Sequence, residues 1–395
     1  MPRRLLRALF AAVLCLATVS TTVGWISGER QEPVTGPPPG TAAWRADGSL
    51  GRSLPDPATV APRGVADFFD GLSFTERRRL AHRHPEVVGN LDGAPIALRY
   101  TANRLALRAA SEAAGRRADD PSASGADRKL ARERVERYRS LLAPGRRFLA
   151  FDPRGRGQIA EVYGDLLRAR HTAVTVPGTD IDLASFDRDG ANRYGTPAGM
   201  ARALRTRMAQ EAPGTRTAVI AWTGYTTPKG IGVDAATGRL AAAGAPRLAE
   251  LLRGLAARDV PAPAVFCHSY GSVVCGRAAR DLGPGELSDL VLFGSPGTGA
   301  DAVSGLGDRI RVWAARGAGD WIAAVPHTRL LGLGHGPDPA AESFGARVVT
   351  TSGSRGHAGY FTPGTESLAN FARITLGSFD AVRCTDASRW CGPGR

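Results

Sequence analysis

The strongest constraint on the fold is an alternation of short apolar runs with amphipathic helical segments, which begins near Arg146. Short apolar runs separated by longer helical stretches are typical of a mostly parallel β-sheet that is covered by helices on both faces. The runs that we predict as strands are Thr172–Val176, Thr217–Trp222, Ala264–Cys267, Leu290–Phe293, Arg311–Ala314 and Arg347–Thr351. The segments that we predict as helices are Thr196–Glu211, Leu248–Arg258, Tyr270–Asp281 and Glu366–Leu376.

An antiparallel hairpin is predicted at the N-terminal edge of this sheet. Two apolar runs, Phe148–Phe151 and Ile159–Tyr163, flank the turn-forming stretch Pro153–Gly157. Two strand-like runs joined by a short Gly-containing segment are typical of a β-hairpin. The predicted fold is therefore α/β, with a mostly parallel sheet and an antiparallel edge.

A small helical region precedes the sheet. Ser73 and Glu76 have the spacing of a capping box, which begins a helix that runs to about His84. Two more helices are predicted over Ile96–Ala114 and Lys129–Leu142. The predicted segments of the chain are an export segment (1–27), a Pro/Gly-rich linker (28–61), the helical region (62–144), the α/β domain (145–378) and a tail (379–395).

The N-terminus carries the pattern of an export signal. Arg3, Arg4 and Arg7 precede the almost uncharged run Ala8–Ile26, which is typical of a secretory signal peptide. The run also approaches the roughly 20 residues that span a bilayer as a helix, and no A-x-A cleavage site follows it. We therefore expect an exported protein, either secreted or held by an uncleaved anchor at the outer face of the cytoplasmic membrane. In the anchored case, linker 28–61 is expected to hold the folded part clear of the membrane.

The basic charge does not indicate a nucleic-acid partner. Lys and Arg total 51 against 37 Asp and Glu, which gives a formal net charge of +14. All but two of the basic residues are arginines, the exceptions being Lys129 and Lys229, and Ala, Gly and Pro are abundant beside them, as a GC-rich bacterial genome would encode. The sequence has no basic stripe interleaved with aromatic residues and no zinc, helix-turn-helix or RNA-binding motif. We predict no nucleic-acid partner, no metal and no cofactor.

Cys15 lies in the apolar N-terminal run, and the other four cysteines divide into two pairs. Cys384 and Cys391 lie in a polar tail, where an oxidising compartment would allow a short disulfide loop. Cys267 ends a predicted buried strand and Cys275 lies inside the helix that follows. Because buried cysteines pack as small apolar residues, we expect this second pair to stay reduced.

The stretch Pro263–Val274 has the pattern of a nucleophile elbow. It reads as a buried strand, a tight turn at Ser269 and then a helix. The turn exposes the serine hydroxyl at the carboxyl end of the strand, and the close crossing of strand and helix requires small residues two before and two after the serine. Gly271 meets this requirement, and Cys267 is small enough to do so. Ser269 is therefore the predicted nucleophile.

A serine nucleophile needs a base and a carboxylate that orients the base. After an elbow of this kind, the acid and then the histidine come from loops that follow later strands. Asp320 follows the strand Arg311–Ala314, and His357 lies in the loop that follows Arg347–Thr351. We predict these two residues as the acid and the base, and expect His268 to face away from the nucleophile.

The predicted oxyanion hole consists of two backbone N–H groups. One belongs to Tyr270, because the residue after the nucleophile opens the helix. The other is assigned to Thr179, since Gly178 lets the chain turn after the strand Thr172–Val176. A plain strand-to-helix turn without a catalytic role is the competing interpretation of that loop.

Three motifs of the chain occur together. They are the elbow His268–Ser272, the loop Val176–Thr179, and the helical motif Leu72-Ser73, His84-Pro85-Glu86, Gly89–Pro95, Arg99 and Ala102-Asn103-Arg104. Together they resemble an actinobacterial α/β-hydrolase family of largely undefined function. The resemblance covers about residues 65–377, and Cys267 departs from the glycine that is usual in the elbow. It implies a serine-hydrolase fold with an N-terminal helical segment, and it supplies no substrate.

Two functional hypotheses follow. The first is an exported serine hydrolase that cleaves ester bonds, and amide bonds as a second candidate, in a small-molecule or cell-envelope substrate. The second is a non-catalytic envelope module that binds a protein partner through residues 65–142, because the helical motif carries more specific residues than a lid requires. Short or medium acyl chains are favoured for the first hypothesis, since the stretch Pro326–Phe344 is rich in Gly and Pro instead of amphipathic.

Overall fold

The computed structural model describes residues 30–307, 310–386, 388 and 391. The predicted export segment, 1–27, lies outside these residues. No helix in the described part of the chain is long and apolar enough to cross a membrane. The α-helices of the described residues are α1 (Thr41–Arg45), α2 (Pro62–Asp70), α3 (Phe74–Arg83), α4 (Pro85–Asn90), α5 (Ile96–Asp119), α6 (Gly125–Leu141), α7 (Pro197–Glu211), α8 (Val233–Ala236), α9 (Arg239–Ala256), α10 (Gly271–Ala279) and α11 (Glu366–Leu376).

The strands form one eight-stranded sheet in the order β1-β2-β4-β3-β5-β6-β7-β8. The pairs β1–β2 and β2–β4 are antiparallel and every other pair is parallel, which confirms the predicted sheet with its antiparallel N-terminal edge. The strand bounds are β1 (Phe148–Asp152), β2 (Gln158–Gly164), β3 (His171–Val176), β4 (Thr217–Thr223), β5 (Ala264–His268), β6 (Asp289–Phe293), β7 (Arg311–Ala315) and β8 (Arg347–Val348).

Helices cover both faces of the sheet. Val265 on β5 points into one apolar cluster, which α9 and α10 complete with residues such as Leu252 and Val273. Phe266, the next residue, points into the opposite cluster, to which Phe371 of α11 contributes. Successive side chains of a strand point to opposite faces, so a strand that is buried on both faces reads as a continuous apolar run. This is why the central strands were visible in the sequence.

Several predicted boundaries differ from the structure, and two of the differences have an identifiable reason. Helix α9 begins at Arg239 instead of Leu248, and Pro246 lies inside it. Proline is usual in the first turn of a helix and rare in its interior, so the sequence pointed to a later start. Strand β8 ends at Val348, because the backbone of Thr350 pairs with the C-terminal segment at Arg383 instead of with β7.

The helical region is fastened to the edge strand β1. The Asn90 side chain donates to the Phe151 carbonyl at 2.8 Å and accepts from the Phe151 amide at 3.0 Å, as a neighbouring strand would. The Arg99 guanidinium donates to the Leu149 carbonyl at 2.6 Å. An edge strand presents unpaired backbone groups, and side chains that satisfy them seal the sheet. The helical motif therefore has a structural use inside the molecule.

Asn103 extends this attachment. Its side-chain amide donates to the carbonyls of Phe148 and Gly89, both at 2.9 Å. A Cβ atom at position 89 would lie 2.3 Å from Asn103 Oδ1, so only glycine allows the α4 backbone to approach α5 this closely. The spacing of the motif thus follows from the contact of α4 and α5 with β1.

The segment predicted as linker 28–61 packs against the folded part over its described residues, 30–61. Within it lies α1, and Trp44 of this helix is fully buried and donates its indole N–H to the Pro55 carbonyl at 2.8 Å. The Gln31 amide donates to Asp234 of the α/β domain at 2.6 Å. The expectation of a spacer that holds the folded part at a distance is therefore wrong for these residues, because the buried Trp44 and the Gln31 contact fix the segment even though it has little regular structure.

The structure pairs all four of the described cysteines. Cys384 joins Cys391, the predicted pair, with the Cα atoms 6.1 Å apart. Cys267 joins Cys275 with the Cα atoms 6.4 Å apart, so the expectation that these two stay reduced is wrong in this structure. The sharp turn after β5 folds α10 back beside the end of the strand, which brings the two Cα atoms within the range that disulfides span.

Candidate active site

Ser269 stands at the sharp turn between β5 and α10, with a φ of 52°. A left-handed conformation at a non-glycine residue is strained and is typical of a nucleophile elbow. The Ser269 amide donates to the Phe293 carbonyl at 3.0 Å, which holds the turn against β6. A Cβ atom on Gly271 would lie 2.6 Å from the Pro177 carbonyl oxygen, so glycine is required there. The sequence pattern around Ser269 thus follows from close backbone contacts.

The loop after β3 passes directly beside the nucleophile. A Cβ atom on Gly178 would lie 2.6 Å from Ser269 Cβ and 3.1 Å from Ser269 Oγ. Within the described residues, the backbone N–H groups of Tyr270 and Thr179 donate no hydrogen bond. Both predicted oxyanion-hole amides are therefore next to the serine in the fold and are not engaged by the protein itself.

His357 and Asp320 are hydrogen-bonded, with His357 Nδ1 and Asp320 Oδ1 separated by 2.8 Å. The Asp320 side chain has no exposed area. Its Oδ2 atom accepts from the Tyr360 hydroxyl at 2.6 Å, and its Oδ1 atom also accepts from the Ile322 amide at 2.9 Å. An ionised carboxylate on Nδ1 keeps the proton on that nitrogen, so His357 Nε2 carries the lone pair.

The donors around Asp320 keep it ionised. Burial alone would raise the pKa of this carboxyl group, but the hydrogen bonds from His357, Tyr360 and the Ile322 amide outweigh burial and hold the pKa below its usual value of 3.8. A carboxylate at this position orients the imidazole and stabilises its protonated form. Asp320 is therefore suited to the role that the sequence assigns to it.

Ser269 and His357 line one cavity of about 430 Å³. No hydrogen bond joins the two side chains, and His357 Nε2 has no hydrogen-bond partner among the described residues. A Cβ atom on Gly294 would lie 3.1 Å from Asp320 Oδ2 and 3.1 Å from His357 Cε1, so the absence of a side chain there lets the pair pack against the end of β6. The structure thus brings the predicted nucleophile, base and acid to one site, with His357 Nε2 available to accept a proton.

The cavity has a mixed lining. Ile181, Ala191 and Ala358 contribute apolar surface, while Arg188 and Asn192 contribute polar groups. Cavities of a few hundred Å³ with apolar walls and a small number of polar groups are typical of small-molecule sites. Within the described part of the chain, no group of three or more His, Cys, Asp or Glu side chains is arranged to hold a metal ion.

His268 faces the site, and the prediction that it faces away is wrong. Its Nε2 atom and the His357 carbonyl oxygen are 2.7 Å apart, and the two imidazole rings lie 4.6 Å apart between centroids. The ring also stacks on Phe293, at 5.0 Å between centroids. A carbonyl only accepts, so Nε2 carries a proton and donates it. The expectation is wrong because the loop of His357 folds back over the end of β5 and meets the His268 side chain.

Burial and the proximity of His357 lower the pKa of His268 to about 3, against a usual value of 6.5. The folded state therefore binds fewer protons than the unfolded chain between these two pH values, and stability is lost as the pH falls below 6.5. We expect the difference in unfolding free energy between wild type and His268→Asn to shrink by about 3 kcal/mol from pH 7.5 to pH 4.5. Urea denaturation at both pH values measures this difference, and parallel losses in the two proteins would contradict the assignment.

Sequence reasoning did not assign roles to Tyr360, His268 and Gly294. Tyr360 is three residues after His357 and bridges Asp320 to the Gly317 amide, to which it is hydrogen-bonded at 2.8 Å. The signal available in the sequence was only its closeness to the predicted base. The contacts of Gly294 depend on how β6 and two later loops meet, which no local pattern reveals.

Comparisons with known proteins identify relatives of this chain. Residues 152–330 match the α/β-hydrolase family, a range that includes Ser269 and Asp320 and ends before His357. An uncharacterized protein of Mycobacterium tuberculosis is 31% identical over 389 residues, which cover 83% of this chain and 57% of that protein. The chain thus spans little more than half the length of this relative.

Two further proteins extend the comparison. An uncharacterized protein of Mycobacterium bovis is 34% identical over 185 residues, which cover 45% of this chain and 68% of that protein. Among solved structures, an α-β serine hydrolase homologue from Coxiella burnetii matches with a TM-score of 0.30 and 14% identity, over 56% of this chain and 92% of its own. The family match and the mycobacterial relatives settle the relationship. The chain belongs to an actinobacterial family of α/β hydrolases.

Proposed function

We propose that the protein is a serine hydrolase that cleaves ester bonds through an acyl-enzyme. The observation that carries this proposal is that Ser269, at the strained elbow, lines one cavity with His357, which is hydrogen-bonded to the buried Asp320. A serine hydroxyl is a weak nucleophile until an adjacent base takes its proton. A histidine oriented by a buried carboxylate is suited to this step.

In the proposed first half-reaction, Ser269 Oγ forms a bond to the ester carbonyl carbon while its proton passes to His357 Nε2. The tetrahedral intermediate collapses as the ester C–O bond breaks, and His357 returns the proton to the departing alcohol. In the second half-reaction, His357 takes a proton from a water molecule as the water oxygen attacks the acyl carbon. The bond between the acyl carbon and Ser269 Oγ then breaks, His357 gives its proton to Oγ, and the carboxylic acid leaves. Asp320 holds the Nδ1–H tautomer throughout.

We assign the stabilisation of the negative charge on the tetrahedral intermediate to the backbone N–H groups of Tyr270 and Thr179. Their position beside Ser269 and the absence of a hydrogen-bond acceptor for them among the described residues support this assignment. N–H donors that are fixed before the reaction stabilise charge that develops in the transition state. Amide substrates remain the second candidate, because the same steps cleave them against a higher barrier.

The proposed location is outside the cytoplasm. The basic and then apolar N-terminus supports export, and the pairing of all four described cysteines in two disulfides is suited to an oxidising compartment. The proposed substrate is accordingly a small ester or an ester of the cell envelope.

The competing hypothesis of a non-catalytic partner-binding module loses its main support. It rested on the number of specific residues in the helical motif, and the structure gives Asn90, Arg99 and Asn103 partners on β1 and α4 inside the molecule. Side chains that seal a sheet edge are not available to an external partner. The helical region therefore needs no partner to explain its motif.

Covalent labelling tests the proposed chemistry directly. We expect a fluorophosphonate probe to modify the protein at Ser269, because only a serine activated by a base attacks phosphorus at a useful rate. Peptide mapping by mass spectrometry identifies the modified residue. Absence of labelling in folded protein, or modification of Ser185 in the same cavity instead, would overturn the proposal.

Acyl-chain preference is the next expected result. In the stretch 326–344 the structure contains no α-helix that could cover the cavity as an amphipathic lid. With a cavity of about 430 Å³, we expect kcat/KM for p-nitrophenyl esters to be greatest for a short or medium chain. It should be roughly tenfold or more lower for palmitate, since unmatched apolar length is penalised at a formed site. A series from acetate to palmitate measures this, and a maximum at palmitate would contradict it.

A further inference from the structure

Five exposed apolar side chains form a group that we call the apolar rim. They come from two neighbouring segments, the stretch that leads into α8 and the loop after β7, and are Ile231, Val233, Leu330, Leu331 and Leu333. Leu331 is 93% exposed and Ile231 is 72% exposed. Exposed leucines scattered singly are ordinary, but a group of large apolar residues marks a surface for interaction.

Hydrogen bonds between the two segments make the rim continuous. Thr237 pairs with Leu333 in an isolated antiparallel bridge. The Gly334 amide donates to the Ala236 carbonyl at 2.9 Å. The two segments therefore present their apolar residues together.

At the tip of the loop after β7, the backbone conformation holds Leu331 outward. Leu330 and Leu333 exchange backbone hydrogen bonds around a two-residue turn, in which Leu331 has a φ of 50° and Gly332 a φ of 81°. Turns with two residues of positive φ strongly prefer Asn, Asp or Gly, and leucine is strained there. A strained and almost fully exposed leucine gains nothing from the isolated fold, which points to an environment outside the protein that buries it.

The rim adjoins the mouth of the active-site cavity. Asp180 lines that cavity, and its side chain accepts from the Gly230 amide at 2.8 Å, directly before Ile231 in the chain. The Tyr270 hydroxyl donates to the Thr237 carbonyl at 2.7 Å, which ties the residue after the nucleophile to the rim loops. Whatever covers the rim therefore lies against the face that carries Ser269.

The first described residues of the chain lie beside the rim. The Gln31 amide donates to Asp234, and Arg239 donates to the Gln31 carbonyl. Asp234 is the neighbour of Val233 in α8. The apolar run Ala8–Ile26 ends five residues before Gln31, so it ends at most about 17 Å from this contact.

We propose that the apolar rim inserts into the surface of a lipid bilayer, so that the active-site cavity opens toward the membrane. A bilayer suits the rim better than a protein partner, because Gln31, which contacts α8 beside the rim, follows the apolar run Ala8–Ile26 by only five residues in the sequence. Lys229 is exposed, has no ion-pair partner among the described residues and lies two positions before Ile231, where it would face anionic headgroups. The inference concerns attachment and orientation, and it does not depend on the proposed chemistry.

Hydrogen exchange of the full chain with and without vesicles tests the proposal. The vesicles consist of equal parts of phosphatidylglycerol and phosphatidylethanolamine. We expect amides in 229–237 and 329–334 to exchange roughly threefold or more slowly on vesicles, because insertion excludes water from both loops. Leu167 is exposed at the other end of the strands, near the start of β4, so the exchange rates of the amides around it should not change.

Matched variants separate the rim from the rest of the chain. The double variant Ile231→Asp with Leu331→Asp should lose the protection, while Leu167→Asp should keep it. All three positions are exposed, so the folded protein should tolerate each change, which thermal unfolding verifies.

Three results would overturn the proposal. The first is vesicle-bound protein with an unprotected rim, which would assign attachment to the N-terminal stretch alone. The second is protein that does not bind the vesicles. The third is rim protection that appears without vesicles and increases with protein concentration, which would assign the rim to a second copy of the chain.

Discussion

Replacement of Ser269 by alanine should reduce kcat/KM for a p-nitrophenyl ester roughly a millionfold, to the level of the slow background that binding alone provides. The reason is that Ser269 supplies the oxygen that forms the acyl-enzyme, and neither Ser185 nor Thr179 in the same cavity lies at an elbow next to His357. Steady-state hydrolysis measures the loss, and the unfolding transition of the variant verifies that it is folded.

Ser272→Ala is the matched control. Ser272 is fully buried three residues after the nucleophile, and its hydroxyl donates to the Cys267 carbonyl at 3.1 Å without lining the cavity. Its loss should lower stability by about 1 kcal/mol and leave kcat within a few-fold of wild type. If Ser269→Ala kept substantial activity, or Ser272→Ala lost as much as Ser269→Ala, Ser269 would not be the nucleophile.

The sheet was predictable because its central strands are buried on both faces. Strands β3 to β7 read as apolar runs, and β4, β5 and β6 are buried at every position. What the sequence did not show was the order in space, in which β4 lies between β2 and β3. That order depends on which helices pack on which face, and the spacing along the chain carries little information about it.

The nucleophile and its two partners were predictable for a related reason. The carboxyl ends of parallel strands meet at one edge of a sheet, so residues in the loops after β5, β7 and β8 converge there. The fine packing was not predictable. The ring of His268 meets the carbonyl of His357, which is 89 residues away in the chain, and this contact depends on the path of a loop.

The segment 30–61 shows where composition misleads. A segment rich in Pro and Gly suggested a spacer, yet Trp44 anchors it against the helical region and Gln31 binds the α/β domain. A single large apolar side chain can hold a chain that lacks regular structure, because burying it removes a large apolar area from water. The position of one tryptophan in the segment was thus more informative than its prolines.

Replacement of Asp320 by asparagine should lower kcat roughly ten-thousandfold while leaving the fold intact. The amide keeps the shape of the carboxylate but has no negative charge, so the protonated imidazole that forms when Ser269 gives up its proton is no longer stabilised. In molecules whose NH₂ group turns toward His357 Nδ1, the imidazole carries its proton on Nε2 and cannot accept the proton of Ser269. The measured quantities are kcat and the urea unfolding transition.

Asp289→Asn is the control for this change. Asp289 is equally buried, and its carboxylate accepts from Trp313 at 2.9 Å and from Arg311 at 2.8 Å at the start of β6, away from the cavity. Loss of its charge should weaken the protein and leave kcat nearly unchanged. A similar fall in kcat for both variants would mean that Asp320 acts only through stability. A large fall in kcat for Asp320→Asn alone, with an unchanged unfolding transition, would show that the Asp320 carboxylate acts by orienting His357. The Asp289 carboxylate holds Arg311 and Trp313 instead, so its loss reports only on stability.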